Sequence, residues 1–316
     1  MFCISLPSDD PFINLAIEEI LLKKSKEEYL ILGINYPSVI IGKHQSAHKE
    51  ANTKFLTEKN IPVIRRISGG GTVFHDKGNL NFTFIRQSEP GKQVDFHKHT
   101  RPVIDFLLSL GVDARFEGKS DIKVGGFKIS GNAEHVYRDR ILHHGTLLFS
   151  SSLRMLQNCI RKDKSCYSTR AVDSNTSSVM NLNEILRIFP DIYEFRKEML
   201  YYFLKKIKDT GIYELSGKET DEALSLAETK YRSWEWNYAY GPVYSFKNSF
   251  QLEGILHWCN FFVRDGIITE CTIEGSGQMI PVAKRLTGCP HMVADMLKVF
   301  KEENVSISNE EIFSFF

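Results

Sequence analysis

The order of strand-like and helix-like segments restricts the fold of this 316-residue chain more than any other feature. Apolar residues at helical spacing follow an Asp-Asp-Pro start signal at 11–25, two strand patterns flank an Asn-Tyr-Pro turn within 29–42, and further strand patterns fill 114–149. The other helical patterns are at 49–59, 100–111, 152–162 and 192–208. This order lacks the regular strand–helix–strand period of a doubly wound parallel sheet. The sequence therefore predicts an α+β protein with mixed sheets flanked by helices.

A loop signal at Tyr240-Gly241-Pro242 divides the chain. Three strand-like and two helix-like runs follow it within about 70 residues, which is enough for a small domain. We therefore predict a large domain over 1–240 and a small α+β domain over 241–316.

Composition narrows the class of protein. The net charge is +1, so bulk charge does not indicate a nucleic-acid or membrane partner. The six cysteines form no CxxC pair, which is typical of a reducing compartment rather than of a disulfide framework or zinc site. The N-terminus has no signal-peptide pattern, and no run of about 18 apolar residues occurs. We therefore expect a cytoplasmic protein, and a monomer.

Three consecutive glycines, Gly69–Gly71, form the strongest local signal for a ligand site. They lie in the run Arg65-Arg66-Ile67-Ser68-Gly69-Gly70-Gly71-Thr72-Val73-Phe74-His75-Asp76. Without Cβ atoms the backbone can approach a ligand closely, and successive N–H groups can bind an anion. An adjacent arginine can pair with phosphate. A plain tight turn explains the same residues, and neither a Walker A loop nor the dinucleotide fingerprint is present.

A second signal is the Gly-Gly turn that precedes Lys128 in Asp121-Ile122-Lys123-Val124-Gly125-Gly126-Phe127-Lys128. A lysine there can stabilise the charge that develops on a carboxylate and an α-phosphate during adenylation. Asp121 offers an oxygen ligand for Mg²⁺. Taken alone, the segment is more typical of a hairpin with both side chains at the surface.

The third signal, His143-His144-Gly145, opens a strand pattern. A buried histidine beside glycine is more often structural than catalytic. The chain has no nucleophile elbow, and neither of these two histidines has a partner at the HxxxH metal spacing.

Together these motifs resemble the lipoate–protein ligase family. The similar segments are DPFINLAIEE (10–19), VIIGKHQSAHKEAN (39–52), RRISGGGTVFHDKGNLNFTF (65–84), KISGNA (128–133), HGTLL (144–148), SWEWNY (233–238) and LTGCPHMVADML (286–297). They cover nearly the whole chain in the family's order. The resemblance implies a catalytic domain related to biotin protein ligases and class II aminoacyl-tRNA synthetases, with the small accessory domain after it.

The same resemblance implies a two-step reaction. Lipoate and ATP give lipoyl-AMP and pyrophosphate, and the lipoyl group then passes to a lysine on an acceptor. The implied partners are lipoate and the lipoyl domains of 2-oxoacid dehydrogenase E2 subunits or the glycine-cleavage H protein. The implied substrate nucleotide is ATP, used with Mg²⁺.

Site residues follow from matching positions. Lys128 matches the lysine that contacts both the carboxylate and the phosphate, and Asp121 lies where the family places a carboxylate near the phosphates. The positions that match nucleotide contacts are Arg66, Gly71, Thr72, Val73 and Phe74. The positions expected to line the lipoate site are Gly70, Gly71, His75, Gln45 and Lys128, with an apolar tunnel along Val39–Gly42, Val73 and Phe74.

The chain departs from the family pattern at two places. Many relatives carry a tryptophan where this chain has Gly33, so the acyl pocket is wider here or another residue fills it. Relatives have an arginine-rich segment where this chain has residues 174–182, and Arg170 is the candidate substitute.

Other functions remain open at the level of sequence. A transferase that moves acyl groups between carriers without ATP would need a cysteine nucleophile, for which Cys159 and Cys166 are the candidates. An enzyme that accepts only preformed lipoyl-AMP is a variant of this idea. A carrier-binding module without chemistry is the third alternative.

Overall fold

The structure is a computed structural model that describes residues 1–88, 94–175 and 177–316. The strands are β1 (Phe2–Ser5), β2 (Tyr29–Ile34), β3 (Ser38–Ile41), β4 (Val63–Arg65), β5 (Val73–His75), β6 (Asn79–Gln87), β7 (Arg115–Glu117), β8 (Asp121–Val124), β9 (Phe127–Tyr137), β10 (Arg140–Leu148), β11 (Tyr167–Thr169), β12 (Gly211–Ile212), β13 (Tyr244–Leu252), β14 (Ile255–Arg264) and β15 (Ile267–Glu274). The helices are α1 (Pro11–Lys24), α2 (Ala47–Glu50), α3 (Thr53–Lys59), α4 (Phe96–Ser109), α5 (Leu153–Cys159), α6 (Ile192–Lys206), α7 (Gly217–Leu226), α8 (Met279–Leu286) and α9 (Val293–Glu302).

The chain divides into two compact units, and the first comprises residues 1–43, 64–157 and 174–232. It contains a sheet of eight strands in the order β12-β1-β2-β6-β10-β9-β8-β7. The pairs β12–β1 and β1–β2 are parallel, and the other pairs are antiparallel. The mixed α+β sheet predicted from the sequence is confirmed.

The core of the first unit forms where α4 and α6 cover this sheet. Phe106 and Leu107 from α4, and Phe195 and Phe203 from α6, are buried in one cluster with the sheet residue Phe82. Full burial of each such side chain contributes about 1.5–3 kcal/mol. On α1, the Asp10 side chain accepts the first free N–H groups, and Pro11 presets the first helical φ angle.

The second unit comprises residues 44–63, 158–173 and 233–316. Its antiparallel sheet has the order β11-β13-β14-β15. Phe246 and Phe261 of the sheet are buried with residues of α8 and α9, such as Met279 and Phe300. This unit contains 241–316 together with three further stretches, and the boundary at residue 240 stays a prediction.

The helix predicted over 49–59 is wrong as a single element. α2 ends at Glu50, Ala51 forms a β-bridge with Ile160, and Asn52 caps α3 by accepting the N–H of Phe55. The asparagine cap is the physical reason for the new helix start. In the ranges 1–88, 94–175 and 177–316, no helix has the length and apolar character needed to cross a bilayer.

Candidate active site

The glycine loop, residues Ser68–Thr72, lies against the end of β3. A Cβ atom on Gly42, the residue after β3, would lie 2.1 Å from the carbonyl oxygen of Gly70, so only glycine allows this approach. Gly70 itself has φ of +85°, a left-handed conformation that favours glycine. The Thr72 N–H donates to the Ser174 hydroxyl at 2.8 Å. The loop is therefore fixed on both of its sides.

Arg66 supports the loop from beneath. Its Nη2 donates to the carbonyl oxygens of Gly69 at 2.5 Å and Gly71 at 2.8 Å. Its Nη1 donates to the Ile40 carbonyl at 3.2 Å, and its Nε to the Ser68 hydroxyl at 2.9 Å. Burial lowers the pKa of Arg66 to about 10, which leaves the guanidinium charged at neutral pH. The expectation that Arg66 contacts the nucleotide stays a prediction.

A buried polar chain continues from the loop into α1 and β6. The Ser68 hydroxyl lies 2.6 Å from His144 Nε2, and His144 Nδ1 lies 2.9 Å from a Glu18 carboxylate oxygen. The other Glu18 oxygen accepts the Thr83 hydroxyl at 2.7 Å. The motif that contains His144 thus reaches the glycine loop through one serine. Sequence reasoning gave no role to Ser68, Glu18 or Thr83, because nothing in the spacing connects them.

Lys128 and Asp121 meet on the outer strands of the eight-stranded sheet. Lys128 Nζ lies 3.0 Å from Asp121 Oδ1, and the two side chains are only 23% and 18% exposed. Asp121 pairs with Gly131 and Lys123 with Lys128, so a β-bulge sets the four residues Lys128–Gly131 of β9 against the three residues Asp121–Lys123 of β8. Because residues two apart share one face of a strand, the bulge brings Lys128 and Gly131 to the same face. This pairing differs from the surface placement that the isolated segment favours.

Gly131 provides the space for the lysine side chain. A Cβ atom there would lie 3.0 Å from both Cε and Nζ of Lys128. The backbone of Ser178 and Met180 lies next to Lys128. The Lys128 N–H donates to the Ser178 carbonyl oxygen at 2.9 Å, and the Met180 N–H donates to the Lys128 carbonyl oxygen at 3.2 Å. Residues 178–180 of the arginine-poor segment therefore run beside Lys128. Thr176 lies outside the described residues, and Arg170 belongs to the second unit.

β3 and β5 carry the residues predicted to form the acyl tunnel. Val39 pairs with Phe74 and Ile40 with Val73, and Phe74 is buried. At Gly33, a Cβ atom would lie 3.1 Å from the Leu6 side chain. Leu6 thus occupies the space next to Gly33.

Gln45, Cys159 and Cys166 all belong to the second unit. Gln45 donates to the Val172 carbonyl at 3.3 Å, and Cys159 is fully buried. The other predicted site residues lie in the first unit, where the structure brings together the glycine loop with Arg66 and, separately, Lys128 with Asp121.

His75, the last residue of β5, is buried and accepts the Asn35 amide at Nδ1, at 2.9 Å. Burial, together with the charge of Arg66, lowers the pKa of His75 to about 3. A second proton on the ring would place two donors face to face. His75 is therefore a neutral acceptor at physiological pH.

This depressed pKa predicts an acid sensitivity. In the unfolded chain His75 takes up a proton near pH 6.5, whereas in the folded chain it does so only near pH 3. The contribution of neutral His75 to the stability of the fold is therefore complete above about pH 6.5 and is lost as the pH falls toward 3. We expect the free energy of unfolding to fall between pH 7 and pH 4, and to fall less in His75→Gln. Urea titrations at several pH values measure this, with exposed His44→Gln as the control. Equal acid dependence in parent and His75→Gln would contradict the assignment.

Comparison with known proteins gives the class of this site. Residues 10–204 match the lipoyl protein ligase A/B catalytic domain family. The chain is 37% identical over 288 residues to lipoate–protein ligase 1 of Staphylococcus aureus, covering 89% of this chain and 88% of that protein. It is 35% identical over 301 residues to the lipoate-protein ligase LplJ of Bacillus subtilis, covering 92% and 91%. The chain belongs to the lipoyl protein ligase A/B catalytic domain family.

Solved structures agree with this membership. Protein Ta0514 of Thermoplasma acidophilum, with bound lipoic acid, is 26% identical with a TM-score of 0.63, over 75% of this chain and 98% of that one. A lipoate-protein ligase A bound with ATP is 26% identical with a TM-score of 0.63, over 74% and 97%. A bi-partite lipoate protein ligase from T. acidophilum, studied with its E2 lipoyl domain, is 25% identical with a TM-score of 0.60, over 75% and 94%.

Proposed function

We propose that this chain is an ATP-dependent lipoate–protein ligase, which makes lipoyl-AMP and passes the lipoyl group to a lysine of an acceptor domain. The observation that carries the proposal is the partly buried Lys128–Asp121 pair on β9 and β8, in the same unit as a glycine loop whose shape is fixed by Arg66 and Gly42. Adenylation needs charge stabilisation and positioning rather than a protein nucleophile. The site offers both.

Lys128 supplies the positive charge. In the first step an oxygen of the lipoate carboxylate attacks the α-phosphorus of ATP, and the bond to the β-phosphate oxygen breaks. Negative charge grows on the phosphate oxygens and the leaving pyrophosphate, and an ammonium group held in advance by Asp121 stabilises it without reorganisation. In the second step the acceptor lysine attacks the acyl carbon, and AMP leaves.

The glycine loop positions the adenylate. Gly70 and Gly71 leave room for a ligand close to the backbone, and Arg66 holds the carbonyl groups of Gly69 and Gly71 in place from the buried side. Thr72, Val73 and Phe74 continue the loop into β5 as proposed nucleotide contacts. Val73 and Phe74, together with Val39–Gly42, would also flank the acyl chain. His75 completes the proposed lipoate contacts within the first unit.

Asp121 is the proposed protein ligand for Mg²⁺. Among the residues that the structure describes, no three His, Cys, Asp or Glu side chains are arranged to hold a metal. A single carboxylate of 18% exposure fits an ion carried mainly by phosphates and water, as is usual for Mg²⁺. When bound, the ion would neutralise phosphate charge beside Lys128.

The proposed acceptors are lipoyl domains of 2-oxoacid dehydrogenase E2 subunits or the glycine-cleavage H protein. We also propose that residues 1–240 form the catalytic domain and 241–316 an accessory domain, and that the enzyme acts in the cytoplasm. The relative from T. acidophilum studied with its E2 lipoyl domain supports the first kind of acceptor.

One experiment tests the whole proposal. A purified lipoyl domain is incubated with the enzyme, ATP, Mg²⁺ and lipoate, and its mass is measured. We expect one lipoyl group per domain and release of pyrophosphate. If the lipoyl domain is modified only when lipoyl-AMP replaces ATP and lipoate, the chain is a transferase that uses preformed lipoyl-AMP. If the domain is modified by an acyl carrier without any nucleotide, the carrier-to-carrier alternative is favoured.

A further inference from the structure

We propose that Lys123 binds the pyrophosphate part of ATP and of the leaving group, as a second cation beside Lys128. This inference rests on the proposed function and adds to it a residue for the leaving group. Lys128 is shared between the α-phosphate and the departing pyrophosphate, and Lys123 would give the pyrophosphate a second side-chain cation.

The strand register places a row of basic residues across three strands. On β7 and β8, Arg115 pairs with Lys123, and on β8 and β9, Lys123 pairs with Lys128. Directly paired residues of neighbouring strands point to the same face, with Cβ atoms about 4.5–5.5 Å apart. The three cations therefore lie in sequence from the outer edge strand to the proposed catalytic lysine.

The opposite face of these strands is the hydrophobic core. Ile122 and Ile129, next to Lys123 and Lys128 in sequence, are both fully buried. Because side chains alternate along a strand, Lys123 is directed away from that core and onto the face that carries Asp121 and Lys128. The Lys123 side chain is only 26% exposed, which reduces the screening of its charge by water.

The geometry of the proposed displacement directs the leaving pyrophosphate toward the row of basic residues on β7, β8 and β9. A Cβ atom on Gly70 would lie 3.6 Å from that of Ala133 on β9, so the glycine loop approaches β9 beyond Gly131. In the proposed reaction the acyl chain lies along β3 and β5, so its carboxylate would reach the α-phosphorus from the side of the glycine loop. An in-line displacement at the α-phosphorus then directs the pyrophosphate away from the loop, past Lys128 toward β8 and β7.

Lys123 has a counter-ion that a phosphate can replace. Its Nζ lies 3.3 Å from Glu117 Oε2, and the Glu117 side chain is 43% exposed. An ion pair with such an exposed carboxylate contributes little to stability. Replacement of the Glu117 carboxylate by a polyphosphate, which carries more negative charge, is therefore favourable. The departing pyrophosphate keeps the electron pair of the broken bond. Lys123 only neutralises its charge and forms no covalent bond.

The test separates the two ligation steps. In Lys123→Ala we expect the KM for ATP and the inhibition constant of pyrophosphate to rise about tenfold each, the loss expected for one charge-assisted contact. Transfer from supplied lipoyl-AMP should be unchanged, and Lys123→Arg should restore pyrophosphate inhibition. Lys119→Ala, an exposed lysine in the β7–β8 turn, is the matched control.

Unchanged pyrophosphate inhibition in Lys123→Ala would overturn this inference while leaving the ligase proposal intact. An equal loss in both ligation steps would also overturn it, because that result indicates a structural role. Failure of the parent enzyme to release pyrophosphate with lipoate would instead remove the proposed function. Thermal unfolding of each variant shows that the comparison is between folded proteins.

Discussion

Lys128→Ala should reduce lipoate-dependent pyrophosphate release about 100- to 1,000-fold, the range found when a preorganised electrostatic group is removed from a reaction site. Lys128 Nζ is held by Asp121 at 3.0 Å and lies over Gly131, so its position is set before substrate arrives. The charge that it stabilises is larger in the transition state than in bound ATP. The loss should therefore appear mainly in kcat rather than in the KM for lipoate.

Two further variants show whether charge or position matters. Lys128→Arg keeps the charge but presents a planar group with a different reach, so we expect only partial activity. Asp121→Asn removes the counter-ion, and the proposed Mg²⁺ ligand with it, so we expect a loss that added Mg²⁺ partly reverses. Single-turnover pyrophosphate release is the measurement. Full activity of Lys128→Ala would remove this residue from the mechanism, whatever the result for Asp121.

Local pattern predicted the elements that have strong local signals. α1 and α6 lie where their apolar periodicity placed them, and the strand-rich stretch 114–149 contains β7–β10. α7 was missed because Ala223 is its only buried residue, so its apolar periodicity is weak. Its capping box of Ser216 and Glu219 was nevertheless readable in the sequence.

Contacts between distant residues had no such signal. The hydrogen bond from the Thr72 N–H to the Ser174 hydroxyl joins residues that are 102 positions apart in the sequence. The β-bulge that shifts Lys128 onto the face of Gly131 depends on how β8 and β9 pair. Likewise, the two strands predicted around the Asn-Tyr-Pro turn belong to different sheets, β2 to the eight-stranded one and β3 to a three-stranded one. Tertiary pairing decides such features, and periodicity along one segment does not contain them.

Gly42→Ala should disrupt the site by displacing the backbone of the glycine loop. Its Cβ atom would lie 2.1 Å from the Gly70 carbonyl oxygen and 3.2 Å from the Gly69 carbonyl carbon, so either β3 or the glycine loop must move. A backbone carbonyl cannot rotate aside as a flexible side chain does. Movement of the loop would break the bonds that Arg66 donates to Gly69 and Gly71, and a buried charged donor without partners is costly.

We expect Gly42→Ala to lose about 2–4 kcal/mol of unfolding free energy and at least about tenfold in adenylation, as is typical when overpacking meets a buried polar network. Urea unfolding and ATP-dependent pyrophosphate release measure the two effects. Gly69→Ala is the matched comparison, because a Cβ atom there meets nothing within 4 Å and its φ is not left-handed. If both variants behaved alike, the close approach of β3 to Gly70 would not be what fixes the loop. A large effect of Gly42→Ala alone would show that a glycine outside the triple-glycine run determines the shape of the adenylate site.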